Sequence, residues 1–563
     1  MRKLLFGILS LFLMNELFAQ TETQSIPTEQ NKTQSDKGEF SGSFQTNNQF
    51  YMRDDKIGAT TTQYIHQLSS TDAWLNLYYK INGFNFMMRY DMFNNSPLFN
   101  PQEAYSNQGI GFWQISKDVD KFNFTVGYFY DQFGTGMAFR AYEDRNLGID
   151  FAMEGARVIY HLSENTTIKA FTGKQKNRFE IREPIIKGVN IEHRHVLNDN
   201  WSVEPGASLV NRTIDENTMK SIATLISNIP DTAKRFNPTM NVFIANVYNT
   251  FRYKSMTLYL EYDYKTPEAI MGFDNVLTKK GGNIFYSSLS YSTLGIGINA
   301  QYKRIESFPF HTSPLETQPT PNNATVNYLP SLTRQNTYRL LARYNAVVQE
   351  LGENAAQLEI TLKPSKSWQI NLNTSAVTTL GGVSGAGIKW DTTTRLFREV
   401  YVDASHKFSK KFKAMLGVQW IGYNQQVFEA KANAPYVEAI TPFGELNLKL
   451  DKVHSFRFEW QYMYNKQDLG SFINALLEFN MAPHWSFAGG DMVNISPGSL
   501  NQPGTGETFE YIHYYTAFAG YTYHTTRLTL AYIKQPQGVN CTGGVCRLEP
   551  AFSGARLTLT TNF

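Results

Sequence analysis

From Phe40 onward the chain alternates apolar and polar residues with a period of two, and brief polar turns break the runs. Phe84, Phe86, Met88, Tyr90 and Met92 share one side of a run whose other side carries Asn85, Arg89 and Asp91. Ala73, Leu75, Leu77, Tyr79 and Ile81 repeat the pattern just before it. Asn82-Gly83 between the two runs is a strong hairpin signal, because both residues tolerate positive φ. Met256, Leu258, Leu260, Tyr262 and Tyr264 likewise oppose Glu261, Asp263 and Lys265, and Phe456, Phe458, Trp460, Tyr462 and Tyr464 oppose Arg457, Glu459 and Gln461. Such a period predicts strands throughout.

Alternation alone fits a soluble sandwich, with one face on a core, or a membrane barrel, with the apolar face on lipid. Three features select the barrel. The runs last about nine to eleven residues, the length of a tilted strand that crosses a bilayer. Connections alternate between short and long: short ones fall near Asn82, 117–121, 163–166, 198–200, 252–255, Ser292, 364–367, 409–411, 451–454, 482–484 and 524–526, and long polar ones cover 54–71, 211–238, 307–334 and 494–507. Aromatics gather near strand ends, at Tyr128-Phe129-Tyr130, Tyr462, Tyr464, Tyr514-Tyr515, Tyr521 and Tyr523, as interfacial girdles do. Eleven short turns predict an all-β, single large antiparallel transmembrane barrel of about 24 strands, with 22–26 within reach of the boundary error. The pattern assigns residues 335–359 least sharply.

Composition narrows the class further. The 563 residues carry 52 Lys+Arg against 49 Asp+Glu, a net charge of +3, which excludes a basic nucleic-acid footprint. Aromatics make up 14%, far from the composition of a disordered chain. Met1-Arg2-Lys3, the apolar run Leu4 to Met14 and Leu17-Phe18-Ala19 have the layout of a signal peptide, 1–19, cleaved near Ala19. A flexible polar leader follows at 20–39, and the barrel occupies 40–563. The chain closes on a strand in which Leu557, Leu559 and Phe563 alternate with Arg556, Thr558, Thr560 and Asn562. That ending resembles the terminal signal by which the barrel assembly machinery recognises outer-membrane barrels, and it implies that machinery as a partner during biogenesis.

One stretch departs from the alternation. From Tyr130 to Arg157, glycines and the apolar Phe133, Phe139, Leu147 and Ile149 are mixed with Arg140, Glu143, Asp144, Arg145, Asp150, Glu154 and Arg157. The segment either caps the outside or folds inward, and in the second case its mixed charges form a pore constriction that sets selectivity through local field. The run from Tyr128 to Asp150 and the tail segment Cys541-Thr-Gly-Gly-Val-Cys546-Arg547 resemble an uncharacterised, porin-like outer-membrane barrel family of Bacteroidetes. The resemblance implies the fold and the outer membrane as location, and no activity.

Cys541 and Cys546 lie in the last long connection, where an exported protein favours a disulfide. His193 and His195 share a strand face without a third ligand, so no metal site is expected. No cofactor motif appears, and no spacing pairs a nucleophile with its base, so an enzyme is not expected. Met219, Ile222, Ala223, Leu225, Ile226 and Ile229 recur at helical spacing behind Asp215 and Glu216, which predicts a short helix in an external loop.

The leading functional expectation is a porin-like diffusion channel for small solutes, its lumen hydrated by Arg89, Asp91, Glu261, Asp263, Lys265, Arg457 and Glu459 and narrowed by residues 131–157. With no separate domain ahead of Phe40, a plugged receptor is disfavoured. The alternative is a non-conducting scaffold or a subunit of an outer-membrane assembly or secretion complex, with partner proteins at its external loops. Lipid is a partner in either case, and nucleic acid in neither.

Overall fold

The structure is a computed structural model that describes residues 38–272, 276–316, 324–380, 394–504, 507–542 and 545–563, without the side chains of 540–546. The signal peptide and residues 20–37 of the leader lie outside the described residues. One antiparallel sheet closes on itself: the first strand, Glu39–Tyr51, pairs both with Ser69–Ile81 and with the last strand, Phe552–Asn562. Of the 25 strands in that sheet, His195–Asn198 merely continues Glu180–His193 along the same partner, Trp201–Thr213, which leaves a barrel of 24 strands. Strand lengths run from 8 residues at Phe122–Phe129 to 17 at Leu277–Thr293, a wider spread than the alternation predicts.

The eleven expected short turns all lie at one end of the barrel, together with Glu39 and Asn562. Long connections leave from the other end, among them those after Tyr51, Phe129, Thr213, Glu306 and Gln535. Two details differ from the sequence reading. Arg178-Phe179 makes a tight turn at the loop end, with Arg178 at φ 61°. The connection expected over 307–334 continues to Leu351, and the next strand begins only at Gly352.

Exposure is inverted relative to a soluble protein. Met88, Tyr90 and Met92 are 41%, 40% and 38% exposed, whereas Arg89 and Asp91 between them are 2% exposed. The same alternation holds where Tyr262 and Tyr264 face out while Glu261, Asp263 and Lys265 are buried. An apolar belt on the outside of a closed sheet is what hydrocarbon demands, since closure pairs every strand edge and leaves no backbone group for water.

At the seam, Gly42 and Phe563 exchange backbone hydrogen bonds of 2.8 and 2.9 Å. A Cβ on Gly42 would lie 2.6 Å from the Phe563 ring, so the glycine is what allows the terminal aromatic to lie across the first strand. Leu557 and Leu559 stand opposite Leu530 and Leu528, on the outward face. The predicted helix spans Glu216–Ser227 and is capped by Asp215, which accepts from the backbone N–H of Asn217 and Thr218 at 2.9 Å. Its Ile222 and Ile226 bury against Ala269 and Leu277 at the loop end of the wall.

Leu530, 54% exposed and within a strand, is a direct test of the belt. Leu530→Arg is expected to cost about 2–4 kcal/mol of folding stability in lipid vesicles, against less than about 1 for Leu530→Tyr. Urea titration followed by heat-modifiable electrophoretic mobility measures both.

Candidate functional site: the occluded lumen

Residues 130–152 fold into the barrel. Asp131–Phe133 pairs with Phe139–Ala141, and Glu143-Asp144 pairs with Ile149-Asp150, giving two small hairpins inside the wall. The first turns at Gly134-Thr135-Gly136, with φ of 53° and 96° at the two glycines. Its tip presses on the wall: Thr135 donates through its N–H (3.2 Å) and its hydroxyl (2.5 Å) to Glu261, and a Cβ on Gly134 would meet that carboxylate at 2.8 Å. Phe133 and Phe139 are fully buried, and Phe139 stacks on the wall residue Phe171 with ring centroids 4.3 Å apart. Apolar burial thus pulls the segment inward, and of the two expected dispositions it adopts the inward one.

Most of its charges are taken up by partners on the wall or within the segment. Arg89 binds Asp91 (2.7 Å), Glu143 (2.8 Å) and Asp150 (2.7 Å) at once. Asp150 also binds Lys176 and accepts from the Tyr130 hydroxyl at 2.8 Å. Arg145 bridges Glu143 (3.0 Å) and Gln45 (3.1 Å) and lies over the ring of Trp74. Arg157, on the strand Met153–Ser163, reaches Asp131 at 3.3 Å. Arg140 lies over the rings of Tyr142 and Tyr328, and Asp144 caps its own turn by accepting from the N–H of Asn146. Glu154 stays on the wall, opposite Lys174.

A second inward segment, described over 307–316 and 324–351, adds to the occlusion. It joins the first through backbone bonds from Arg140 N to Val326 O and from Tyr328 N to Gly136 O, each 2.9 Å. On one side of the barrel, wall cations bind its carbonyls: Arg212 donates to His311 O (2.6 Å), Lys265 to Pro309 O (2.5 Å) and Lys303 to Pro330 O. The chain then crosses to the opposite wall. Asn336 donates to Glu399 (3.0 Å), Tyr338 to Glu445 (2.9 Å) and Leu340 N to Gln461 (2.7 Å). Arg343 closes on Asp468 at 2.8 Å, and Arg339 reaches the carbonyls of Tyr514 and Lys534. Phe308, Phe310, Val326, Leu340 and Val347 join Phe133, Phe139 and inward residues of many strands in one continuous apolar cluster.

The expectation of a hydrated lumen is therefore corrected. Glu261, Asp263, Lys265, Glu399 and Gln461 are all essentially inaccessible, because the two segments lie on them. Arg457 is held by Glu445 (2.8 Å), Glu459 (2.5 Å) and Glu478 (2.8 Å). Lys265 and Arg212 share Glu268, and Lys303 binds Glu353 at 2.9 Å. A charge taken from water costs several kcal/mol unless it is paired, so these matched sets are the condition under which the lumen can fill with protein. What fills the lumen is the barrel's own internal connections.

Sequence reasoning missed the wall anchors Arg212 and Lys303, the loop-end Asp468 and the plug residues Arg339 and Arg343. The available signal was the loss of alternation over 335–351, together with apolar Leu340-Leu341, Tyr344 and Val347-Val348 in what otherwise reads as a loop.

Burial raises the Asp150 carboxyl, and Lys176 and Arg89 more than reverse this, holding it below the usual carboxylate range. Burial likewise works against charge at Asp468, and Arg343 and Lys431 pull it below its ordinary value. His193 and His195 sit near the turn end with ring centroids 6.1 Å apart. The hairpin register sets Cys541 opposite Cys546, and the disulfide expected there lies outside the described side chains.

This architecture is that of a transmembrane β-barrel filled by its own connections. The chain belongs to DUF6029, a family of unknown function whose model matches residues 1–563. It is similar in structure to the siderophore receptor PirA from Pseudomonas aeruginosa (8% identity, TM-score 0.41, covering 93% of this chain and 80% of that one). It is also similar to the P pilus usher PapC translocation pore (10%, 0.43, 93% and 99%) and to the copper transporter OprC (9%, 0.38, 94% and 80%). No curated protein matches the chain in sequence.

Arg89→Met removes the cation that Asp91, Glu143 and Asp150 share, and is expected to weaken docking of the 130–152 segment by about 3 kcal/mol. New proteolytic cleavage between Gly134 and Asn146 in the folded barrel reports that loss. Because Asp150 is depressed in the folded state, its contribution is present above the ordinary carboxylate pKa and is lost as pH falls through the folded value. Protection of wild type is therefore expected to stay constant from pH 8 to 5 and to fall only below about pH 4.

Proposed function

We propose that this protein is an outer-membrane barrel closed at rest, serving as a scaffold or subunit of an outer-membrane complex and not as an open diffusion pore. The observation that carries this reading is that residues 307–316 and 324–351 take wall charges on both sides of the lumen, and the loop-end Asp468, as anchors. A porin needs those charges facing water. The apolar belt and the asymmetry between short turns and long loops support the outer membrane as location, with the turn end toward the periplasm. Lipid around the belt, the barrel assembly machinery acting on the strand that ends at Phe563, and partner proteins at the loop end belong to the same proposal. So do a cleaved signal peptide, a Bacteroidetes origin and the lack of a catalytic role.

Planar-bilayer conductance tests it. Wild type is expected to be silent, and a variant with residues 331–346 replaced by a short Gly-Ser linker is expected to give large, steady steps. Steady conductance of wild type that changes ion selectivity in R140E/R145E would restore the diffusion pore and overturn the closed-barrel reading.

A further inference from the structure

The turn end carries a concentrated positive sector. The hairpin joining Arg395–Lys407 to Phe412–Asn424 bears Lys407, Lys410, Lys411 and Lys413. Its neighbour on one side adds Lys363 and Lys366, and its neighbour on the other adds Lys449 and Lys452. All of these lysines are exposed. The acidic residue among the three turns, Asp451, is already bonded to His454 at 2.9 Å. The hairpins are tied into one surface by backbone bonds from Lys407 N to Ser367 O (2.9 Å) and from Lys449 N to Lys411 O (2.8 Å).

Two features show that this is more than a solvated edge. Lys407 stands directly opposite Lys413 in the strand register, and like charges in that position destabilise a sheet. No carboxylate forms an ion pair with either of them among the described residues. The faces are also segregated. Outward, toward the hydrocarbon, Trp368, His406, Phe408 and Phe412 form an aromatic row, with Trp368–His406 and His406–Phe408 centroids each 4.4 Å apart. Lys407 and Lys413 fall on the other face, shared with Asp403, Ser405 and Gln419, and so point to the barrel mouth and away from lipid. The aromatic row and the mouth-facing lysines thus stand on opposite faces of the wall.

We infer that this sector is a docking surface for an acidic periplasmic polypeptide laid across the turn-end mouth, with the lysines supplying steering and specificity. The inference rests on the proposed orientation and deepens the subunit reading by giving one partner's chemistry and its side of the membrane.

The test uses the full barrel in nanodiscs of zwitterionic lipid and, as probe, a fluorescent twelve-residue peptide alternating Glu and Leu, with its Gln-for-Glu counterpart as control. The acidic peptide is expected to bind wild type, with affinity falling as salt rises, and K407Q/K410Q/K411Q/K413Q is expected to weaken it at least tenfold. K117Q/K121Q, elsewhere on the same rim, is expected to bind as wild type does. Equal binding by wild type and the quadruple variant overturns the inference, as does equal loss in both variants. Native mass spectrometry in nanodiscs containing cardiolipin supplies the remaining arm: loss of bound cardiolipin in the quadruple variant with peptide binding intact assigns the sector to lipid and overturns it. Heat-modifiable mobility establishes that each variant is folded. A conducting wild type that still binds the peptide would remove the closed-barrel reading and leave this one standing.

Discussion

A charge buried in a barrel wall has nowhere to go. Its outward neighbours face hydrocarbon, and once the lumen is filled it has no water behind it, so it must find a partner of opposite sign or a ring of dipoles. The interior follows from that constraint. Arg89 gathers three carboxylates, Glu268 serves both Arg212 and Lys265, and Arg457 sits among three glutamates. Where the wall offers a cation without enough acid, the plug brings backbone carbonyls, as at His311, Pro309 and Pro330. Where it offers acid or amide, as at Glu399, Glu445 and Gln461, the plug brings Asn336, Tyr338 and the N–H of Leu340.

The apolar component then decides the position of the plug. Phe133, Phe139, Phe308 and Phe310 pack in one cluster with wall residues such as Phe171, Val242 and Ile284. Inward-facing Ile and Val on a membrane strand would be misplaced in a water-filled pore; here they are the floor on which two connections rest. Polar matching fixes register, and apolar burial provides the drive inward.

The wall was almost wholly legible in the sequence, because strand period, turn chemistry and lipid preference are local signals. Asn82-Gly83 announced its hairpin, Met88 and Tyr90 announced the outer face, and eleven turns gave 24 strands. The contents of the lumen were far less legible. Arg89 and Asp91 read identically whether they face water or a buried Asp150, since strand alternation records which side a residue is on and not what lies there. The 130–157 segment betrayed itself through clustered charges and glycines. Residues 307–351 did not, because their partners, Arg212, Glu399 and Asp468 among them, are far apart along the chain and no period connects them.

The crossing path of the plug also ties its seating to the closed wall. Arg212 lies on the ninth strand of the barrel, and the carbonyls that Arg339 uses, on Tyr514 and Lys534, lie on the twenty-second and twenty-third. An unclosed sheet would not hold these two abutments at a fixed span, so the late contacts of the insert depend on closure of the barrel. The insert's seating thus depends on both halves of the wall: a missing late strand would remove the two carbonyls that Arg339 uses.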